Sequence, residues 1–367
     1  MTTVVDVCRS LETLAPLHLA AEWDNVGLLV GGRNASVERV MACLTVTPAV
    51  ADEAIRERVQ LVVSHHPVLF RPTQKLVASN SEGGMLLRLI AAGVAIYSPH
   101  TAWDNAPGGI NDGLARRLGL TDVVPLRPIE VPAQCKIVVF VPDADLGKVS
   151  DTLFAAGAGV IGQYSQCSYR LAGTGTFFGS DAANPTIGEK GRREEVAEWR
   201  LEVVCPAACV NEVVRAMRRA HSYEEPAFDV YPLRGDSSRF GSGRLGNLPE
   251  ATTLGELARR TQMVLQSASM QIVGDPNRTV RRIGLACGAA GEFLKDAQRA
   301  GADVFLTGEL RFHDALAAES SGVSVLIPGH HATERPGVED LAAQIASRHT
   351  ELEVWASRVE ADPLANL

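Results

Sequence analysis

The chain has 367 residues, 46% hydrophobic and 21% charged, with a formal net charge of −8, so it can bury large cores in two or three domains but offers no broad basic surface for nucleic-acid phosphates. Seven cysteines, at 8, 43, 135, 167, 205, 209 and 287, form no C-x-x-C pair and are odd in number, which argues against a disulfide framework or thiolate zinc site and for a reducing, cytoplasmic setting. The N-terminus lacks the basic and apolar regions of a signal peptide, and no apolar run approaches the roughly 18 residues of a membrane span, so the expectation is an unprocessed chain with no membrane partner.

Over residues 1–128 short apolar runs alternate with helical periodicity. "VMACLTV" and "LVVSHHP" flank a helix-like "PAVADEAIRERV", and "MLLRLIAAG" precedes "VAIYSPH", the alternation of an α/β domain with a mixed sheet. Beyond "PLRPIEVPAQ" the pattern changes. "KIVVFVP", "ADLGKVSDTLFAAG", "GVIGQYSQCSYRLAGTGTFF" (two strands around a glycine turn), "EWRLEVVCP", "CVNEVVRAMRRAH" and "AFDVYPL" read as β-α-β-β-α-β, a ferredoxin-like α+β unit over 129–236. After the glycine-rich "RGDSSRFGSGRLG" the α/β alternation returns and runs through 237–367. The first and third segments are expected to fold together as one domain, with the middle segment as an insert.

Six of the nine histidines fall just beyond short apolar runs: His65 and His66 in "LVVSHHP", His100 in "VAIYSPHTAWD", His313 in "VFLTGELRFHD", and His330 and His331 in "VSVLIPGHHATE". In open α/β sheets the ligand crevice lies at the carboxyl ends of strands, so these four places are expected to converge on one pocket. Acids accompany three of them: Asp104 four residues after His100, Asp314 beside His313, and Glu334 four after His330, where a helix opening at "GHHATERPGV" puts both on one face. Imidazole and carboxylate without thiolate suit zinc, manganese or iron. Consecutive side chains in extended backbone point opposite ways, so His65 and His66 serve two ions more easily than they chelate one. A carboxylate can bridge two such ions, about 3.5–4 Å apart, that lower the pKa of a water between them. A polar turn closing a strand would also account for the pair.

His313 suits a hydrogen-bonded place behind the ligands better than ligation. Asp24 fits a turn or a polar position in the pocket. It belongs to the tripeptide "WDN", which occurs at 23–25 and again at 103–105. "GLACGAAGEF" reads as a tight strand-to-helix turn, since its spacing matches neither phosphate-binding fingerprint.

"AEWDNVGLLVG", "VSHHPVLF", "YSPHTAWDNAPGGINDGLA", "LTGELRFHDAL" and "GHHATE" closely resemble the Nif-three-like family, whose bacterial members are often labelled GTP cyclohydrolase 1 type 2 homologues. The middle segment, with "GTGTFF", "NPTIGEKG" and "HSYEEPAFDVYPL", is similar to the PII- and CutA-like insert of the longer members. The resemblance implies two divalent ions per chain, zinc first and manganese or iron next. It assigns them His65, His66, Asp104, His330 and Glu334, with Glu334 bridging, His65 and His330 on one ion, and His66 and Asp104 on the other. His100 and His313 match pocket positions and become candidates for proton transfer, with Asp24 beside them.

A toroidal homohexamer and a small-molecule substrate, by its label a nucleotide, are also implied. Two functions are compatible with this: a hydrolase whose metal-bound hydroxide attacks a purine nucleotide or phosphoester, or a non-enzymatic metal-binding regulatory scaffold with a sensing insert. Thr45, in "LTVT", stands where many relatives carry aspartate, which weakens the expectation of a polar role there.

Overall fold

The structure, a computed structural model, describes residues 1–129, 133–162, 164–234 and 239–364. Chain contacts divide it into two units, Met1–Ile129 with Ser238–Leu367, and Glu130–Ser237. In chain order the N-terminal segment of the first unit holds α1 (Val4–Leu14), β1 (Gly27–Val30), β2 (Arg39–Cys43), α2 (Pro48–Arg56), β3 (Leu61–Ser64), α3 (Ser81–Ala91), β4 (Ala95–Ser98), α4 (His100–Asn105), α5 (Ile110–Arg117) and β5 (Thr121–Pro128). The second unit holds β6 (Gln134–Pro142), α6 (Leu146–Ala155), β7 (Tyr169–Phe178), β8 (Arg193–Pro206), α7 (Val210–Ala220) and β9 (Phe228–Leu233). The first unit resumes with β10 (Gly241–Thr253), α8 (Leu254–Val264), β11 (Gln271–Val273), β12 (Thr279–Ala286), α9 (Leu294–Arg299), β13 (Val304–Thr307), α10 (Phe312–Ser321), β14 (Ser324–Ile327), α11 (His330–Arg348) and β15 (Glu353–Ala356).

The first unit contains two mixed sheets where the sequence pattern implied one. The first has the order β1-β4-β3-β2-β15, parallel except for β1, and the second the order β11-β14-β13-β12-β10-β5, with a parallel centre of β12, β13 and β14. The central strands are buried on both faces, as parallel strands between helices must be. Their alternate residues feed separate cores: Val40, Leu61, Val63 and Tyr97 pack with α1 and α11, while Met41, Val62 and Ile96 pack with α2 and α3. In the second sheet Leu285 and Leu306 face one core and Phe305 and Val325 the other.

The two halves of the first unit exchange strands. β15, near the C-terminus, pairs with β2, and β5 pairs with β10. Arg244 on β10 secures this exchange from inside, where it is almost fully buried. Its guanidinium donates to both Asp112 oxygens (2.6 and 2.9 Å) on α5 and to the carbonyls of Ala106, Gly241 and Gly243.

In the second unit the elements run β-α-β-β-α-β and the all-antiparallel sheet has the order β7-β8-β6-β9. α6 and α7 cover one face through Val149, Leu153, Val213 and Met217. Among the described residues between Gly159 and Phe178 there is one long strand, β7, where two were expected. Gly159, Gly162 and Gln166 take positive φ (79°, 58° and 58°), which breaks any extended run before Tyr169. Among the described residues no helix is long and apolar enough to cross a membrane.

Replacing Arg244 by methionine is expected to cost about 3–5 kcal/mol, because it leaves buried carbonyls and the Asp112 carboxylate without their cation. Denaturant titration measures this, and a loss below about 1 kcal/mol, the scale of an exposed pair, would show that the Arg244 network does not hold the halves together.

Candidate metal centre

The site stands where parallel strands of both sheets end. β3 runs directly into His65 and His66, β4 into His100, β13 into Gly308 and Glu309, and β14 into α11, which opens at His330. The backbone N–H groups of His65 and His66 donate to Cys43 and Leu44 (2.9 and 2.8 Å), so both histidines are tied to the end of the β2–β3 ladder. β3 stops at Ser64 and the chain bends there, which brings the two rings to 5.2 Å rather than to opposite faces of a pleat.

Glu334 lies one turn into α11 and is buried. Its Oε2 faces His330 Nε2 at 2.9 Å and His66 Nε2 at 3.1 Å, while His65 Nε2 faces Asp104 Oδ1 at 3.6 Å. Two groups of potential ligand atoms result, His65–His66–His100 and His66–His330–Glu334, each within a 4.8 Å span. Within the site His66 and His330 share Glu334, and Asp104 meets His65. Gly288, at φ 67°, ends the strand-to-helix turn of "GLACGAAGEF" against this carboxylate, and a Cβ there would collide with Glu334 Oε1. A Cβ on Gly308 would stand 2.7 Å from the His330 Cα.

Three imidazoles have one nitrogen already engaged. His100 Nδ1 donates to Asp24 Oδ1 (2.7 Å), His330 Nδ1 donates to Glu309 Oε1 (2.7 Å), and His66 Nδ1 shares a hydrogen bond with Thr45 Oγ1 (2.7 Å). Such partners fix ring orientation and tautomer behind metal ligands. Thr45 therefore has a polar role despite not being aspartate. Its own N–H and that of Leu44 are held by the Glu360 carboxylate (2.7 and 2.8 Å). Asp24 also accepts from the Thr101 N–H (3.1 Å) and from the Thr101 hydroxyl, which holds His100 at an uncommon positive φ of 23°.

The charges follow from this packing. Burial opposes ionisation of Glu334, but hydrogen bonds from His330 and His66 outweigh it and hold the carboxyl well below its usual range. Hydrogen bonding to Glu334 lifts His330 to about 9, against burial. Burial drives His65 well down, and it lifts Asp104 to about 7, with the charges of Glu334 and Asp24 adding to it and that of His100 opposing. Burial also works against the Asp24 charge, yet the bonds from His100 and Thr101 bring it to about 2. His100 is raised, its bond to Asp24 outweighing burial. Burial, and after it the charges of Glu334 and Asp104, pushes the Cys287 thiol well up, so it stays protonated.

Both ring nitrogens of His65 and Asp104 Oδ1 are buried without a hydrogen-bond partner. Buried polar atoms are normally satisfied, and a convergent set of unsatisfied lone-pair donors fits divalent cations. The residues present therefore suit a metal.

The profile of the family described as Duf34/NIF3 (NGG1p interacting factor 3) matches residues 2–363. The chain belongs to the Duf34/NIF3 family. A relative from Halalkalibacterium halodurans named "GTP cyclohydrolase 1 type 2 homolog" is 36% identical over 360 residues, 97% of each chain. A Bacillus cereus protein related to NIF3 superposes with a TM-score of 0.72 at 34% identity, covering 100% of this chain and 99% of its own. A Staphylococcus aureus protein superposes at 0.78 with 26% identity and the same coverage.

Of the residues that sequence reasoning singled out, His65, His66, His100, Asp104, His330, Glu334 and Asp24 are brought together. His313 is not. It is exposed on the first turn of α10, with its ring against Phe312 (5.7 Å). Glu309, four residues earlier in the family motif "LTGELRFHDAL", is the member that reaches the site. Glu309 had no signal beyond lying within that motif, and Thr45 was marked only as standing where many relatives carry aspartate.

Thr45→Val and Glu309→Ala are each expected to weaken divalent-metal binding about 10–100-fold, by releasing the His66 or His330 ring. Competition against a chromophoric chelator reads this. Affinities within twofold of wild type would mean that these contacts do not orient ligands.

Proposed function

We propose that this chain is a divalent-metal-dependent hydrolase with a dinuclear centre of zinc, or of manganese or iron, acting on a small molecule. The reading rests on one observation: an all-imidazole group, His65–His66–His100, and an imidazole–carboxylate group, His66–His330–Glu334, share His66, and the ring nitrogens of His65 and Asp104 Oδ1 are buried there with no hydrogen-bond partner. His65, His66, Asp104, His330 and Glu334 would hold the ions, with Glu334 in reach of His66 and His330 and Asp104 in reach of His65. When bound, such ions act as Lewis acids and lower the pKa of water, which supplies a nucleophile near neutral pH.

The chain's own groups orient and move protons. Asp24 fixes the His100 ring through Nδ1 and leaves the other nitrogen free to take or give a proton beside the ligand cluster. Thr45 and Glu309 keep the Nε2 atoms of His66 and His330 directed at Glu334. A purine nucleotide, to which the relatives' name points, and a phosphoester both present a centre that activated water attacks.

A second reading is a metal-binding regulatory protein with a sensing insert. It draws support from a cavity of about 700 Å³ in the second unit, lined by Phe140, Leu171, Phe177, Ile187, Glu198 and Tyr223. The sheet order and antiparallel pairing there support a ferredoxin-like domain of the PII/CutA kind, inserted over 129–236 between segments 1–128 and 237–367. Both readings carry a cytoplasmic homohexamer.

Protein stripped by a chelator and reloaded with zinc or manganese is expected to hold two ions per chain by elemental analysis, and Glu334→Gln to weaken both. At most one ion in the wild type excludes the dinuclear assignment. Hydrolysis across a panel of nucleotides and phosphoesters should vanish on chelation and return with metal. In His100→Ala turnover should fall about 100-fold or more, the scale of general acid–base catalysis, with metal content intact. Unchanged turnover removes the proton-transfer role, and a panel with no hydrolysed member favours the regulatory reading.

A further inference from the structure

The tripeptide Trp-Asp-Asn does the same structural work twice. Asp24 holds His100, and Asp104 faces His65. The Asn25 amide donates to the Leu69 carbonyl (2.6 Å), and the Asn105 amide to the Leu19 carbonyl (2.7 Å). The tryptophans differ. Trp103 is 1% exposed and packs 6.2 Å from the His65 ring, whereas Trp23 is 62% exposed.

Trp23 is not loose. Asp24, its neighbour, is anchored through three hydrogen bonds to His100 and Thr101, and the Asn25 bond ties this segment to the one carrying Phe70. Phe70, itself 45% exposed, stands 5.8 Å from Trp23 at 74°. Both rings meet the His100 ring nearly at right angles, at 6.1 and 6.4 Å, and His100 lies 5.2 and 5.6 Å from His65 and His66. Large apolar rings held in water beside a polar cluster lose burial energy and mark a ligand surface.

We propose that Trp23 and Phe70 form a stacking platform at the mouth of the metal centre that takes a planar heteroaromatic ring and so selects substrates carrying one. The inference rests on the metal-centred reading above and narrows its substrate class. Because Trp23 and Phe70 stand at 74° to each other, a ring stacked on one meets the other edge to face, and His100, in contact with both, lies between that ring and His65 and His66, so a group attached to it, or the ring's own edge, faces the cluster. Every planar heterocycle has a π-face, so the platform selects for a ring without reading its edge, which falls to other groups.

The test uses zinc-reloaded full-length protein and two probes that differ only by a base, guanosine 5′-monophosphate and ribose 5-phosphate, titrated by calorimetry. Wild type is expected to prefer the nucleotide by about tenfold or more, the scale of one base–aromatic stack. Trp23→Leu and Phe70→Leu should remove most of that preference while changing ribose 5-phosphate binding less than twofold, and Trp23→Phe should keep most of it. Equal binding of the two probes by wild type, absence of binding included, overturns the platform. So does an undiminished preference in both leucine variants, or a change in their sedimentation alone, which would make the pair a contact between copies. Elemental analysis of the same samples keeps the outcomes apart: wild type without metal that still prefers the base refutes the metal reading and not the platform.

Discussion

A buried carboxylate between two sheets is the constraint on which the site depends. Glu334 enters from the first turns of α11 and meets His66 from the first sheet and His330 from the end of the second. A charge removed from water costs several kcal/mol unless it is paired, so Glu334 can stay ionised only if both sheets present their histidines to it. The packing leaves no slack for other residues around it. Gly288 and Gly308 are glycine because any Cβ would run into Glu334 or His330, and the Thr333 hydroxyl accepts from the Gly288 N–H (3.0 Å) and donates to the His330 carbonyl (2.8 Å). One helix end is thereby fixed to the turn after β12 and the loop after β13.

Around that carboxylate the chain uses three different groups for one task. Asp24, Thr45 and Glu309 come from three separate segments, and each engages the Nδ1 atom of one histidine. A ring so held loses little freedom when its other nitrogen takes a ligand or a proton, which is the physical meaning of preorganisation at a site of this kind. His65 has no such partner and is fixed by burial, by its N–H bond to Cys43, by the Ser98 hydroxyl donating to its carbonyl (2.7 Å) and by the Trp103 ring. Proton affinity divides accordingly: His65 is driven down by burial, while His330 and His100 are lifted by their acids.

The exchange of strands between halves explains how residues more than two hundred positions apart reach one place. β15 closes the first sheet on β2, and the tail after it delivers Glu360 to Leu44 and Thr45. Glu53 works similarly on α2, where its buried carboxylate accepts from the Ser357 hydroxyl (2.6 Å) and the Arg358 N–H (3.1 Å). Arg244 ties β10 to α5 on the other side. Charged groups set between segments in this way give the two halves a defined register that apolar packing alone would leave looser.

The sequence by itself determined the local facts: α/β alternation, the change of pattern in the middle segment, histidines at strand ends, and His330 with Glu334 on one helical face. Those follow from periodicity and spacing, which are properties of consecutive residues. The family motifs added which histidines and acids belong together. Only the tertiary structure decided that the strand ends belong to two sheets, that His66 shares Glu334 with His330 while Asp104 goes to His65, that Glu309 rather than His313 reaches the cluster, and that Thr45 keeps a polar role without a carboxylate. It also decided which of two identical tripeptides exposes its tryptophan. Trp23 and Trp103 are followed by the same two residues, but burial is fixed by what packs against a side chain from elsewhere in the chain, and the shared tripeptide does not encode that.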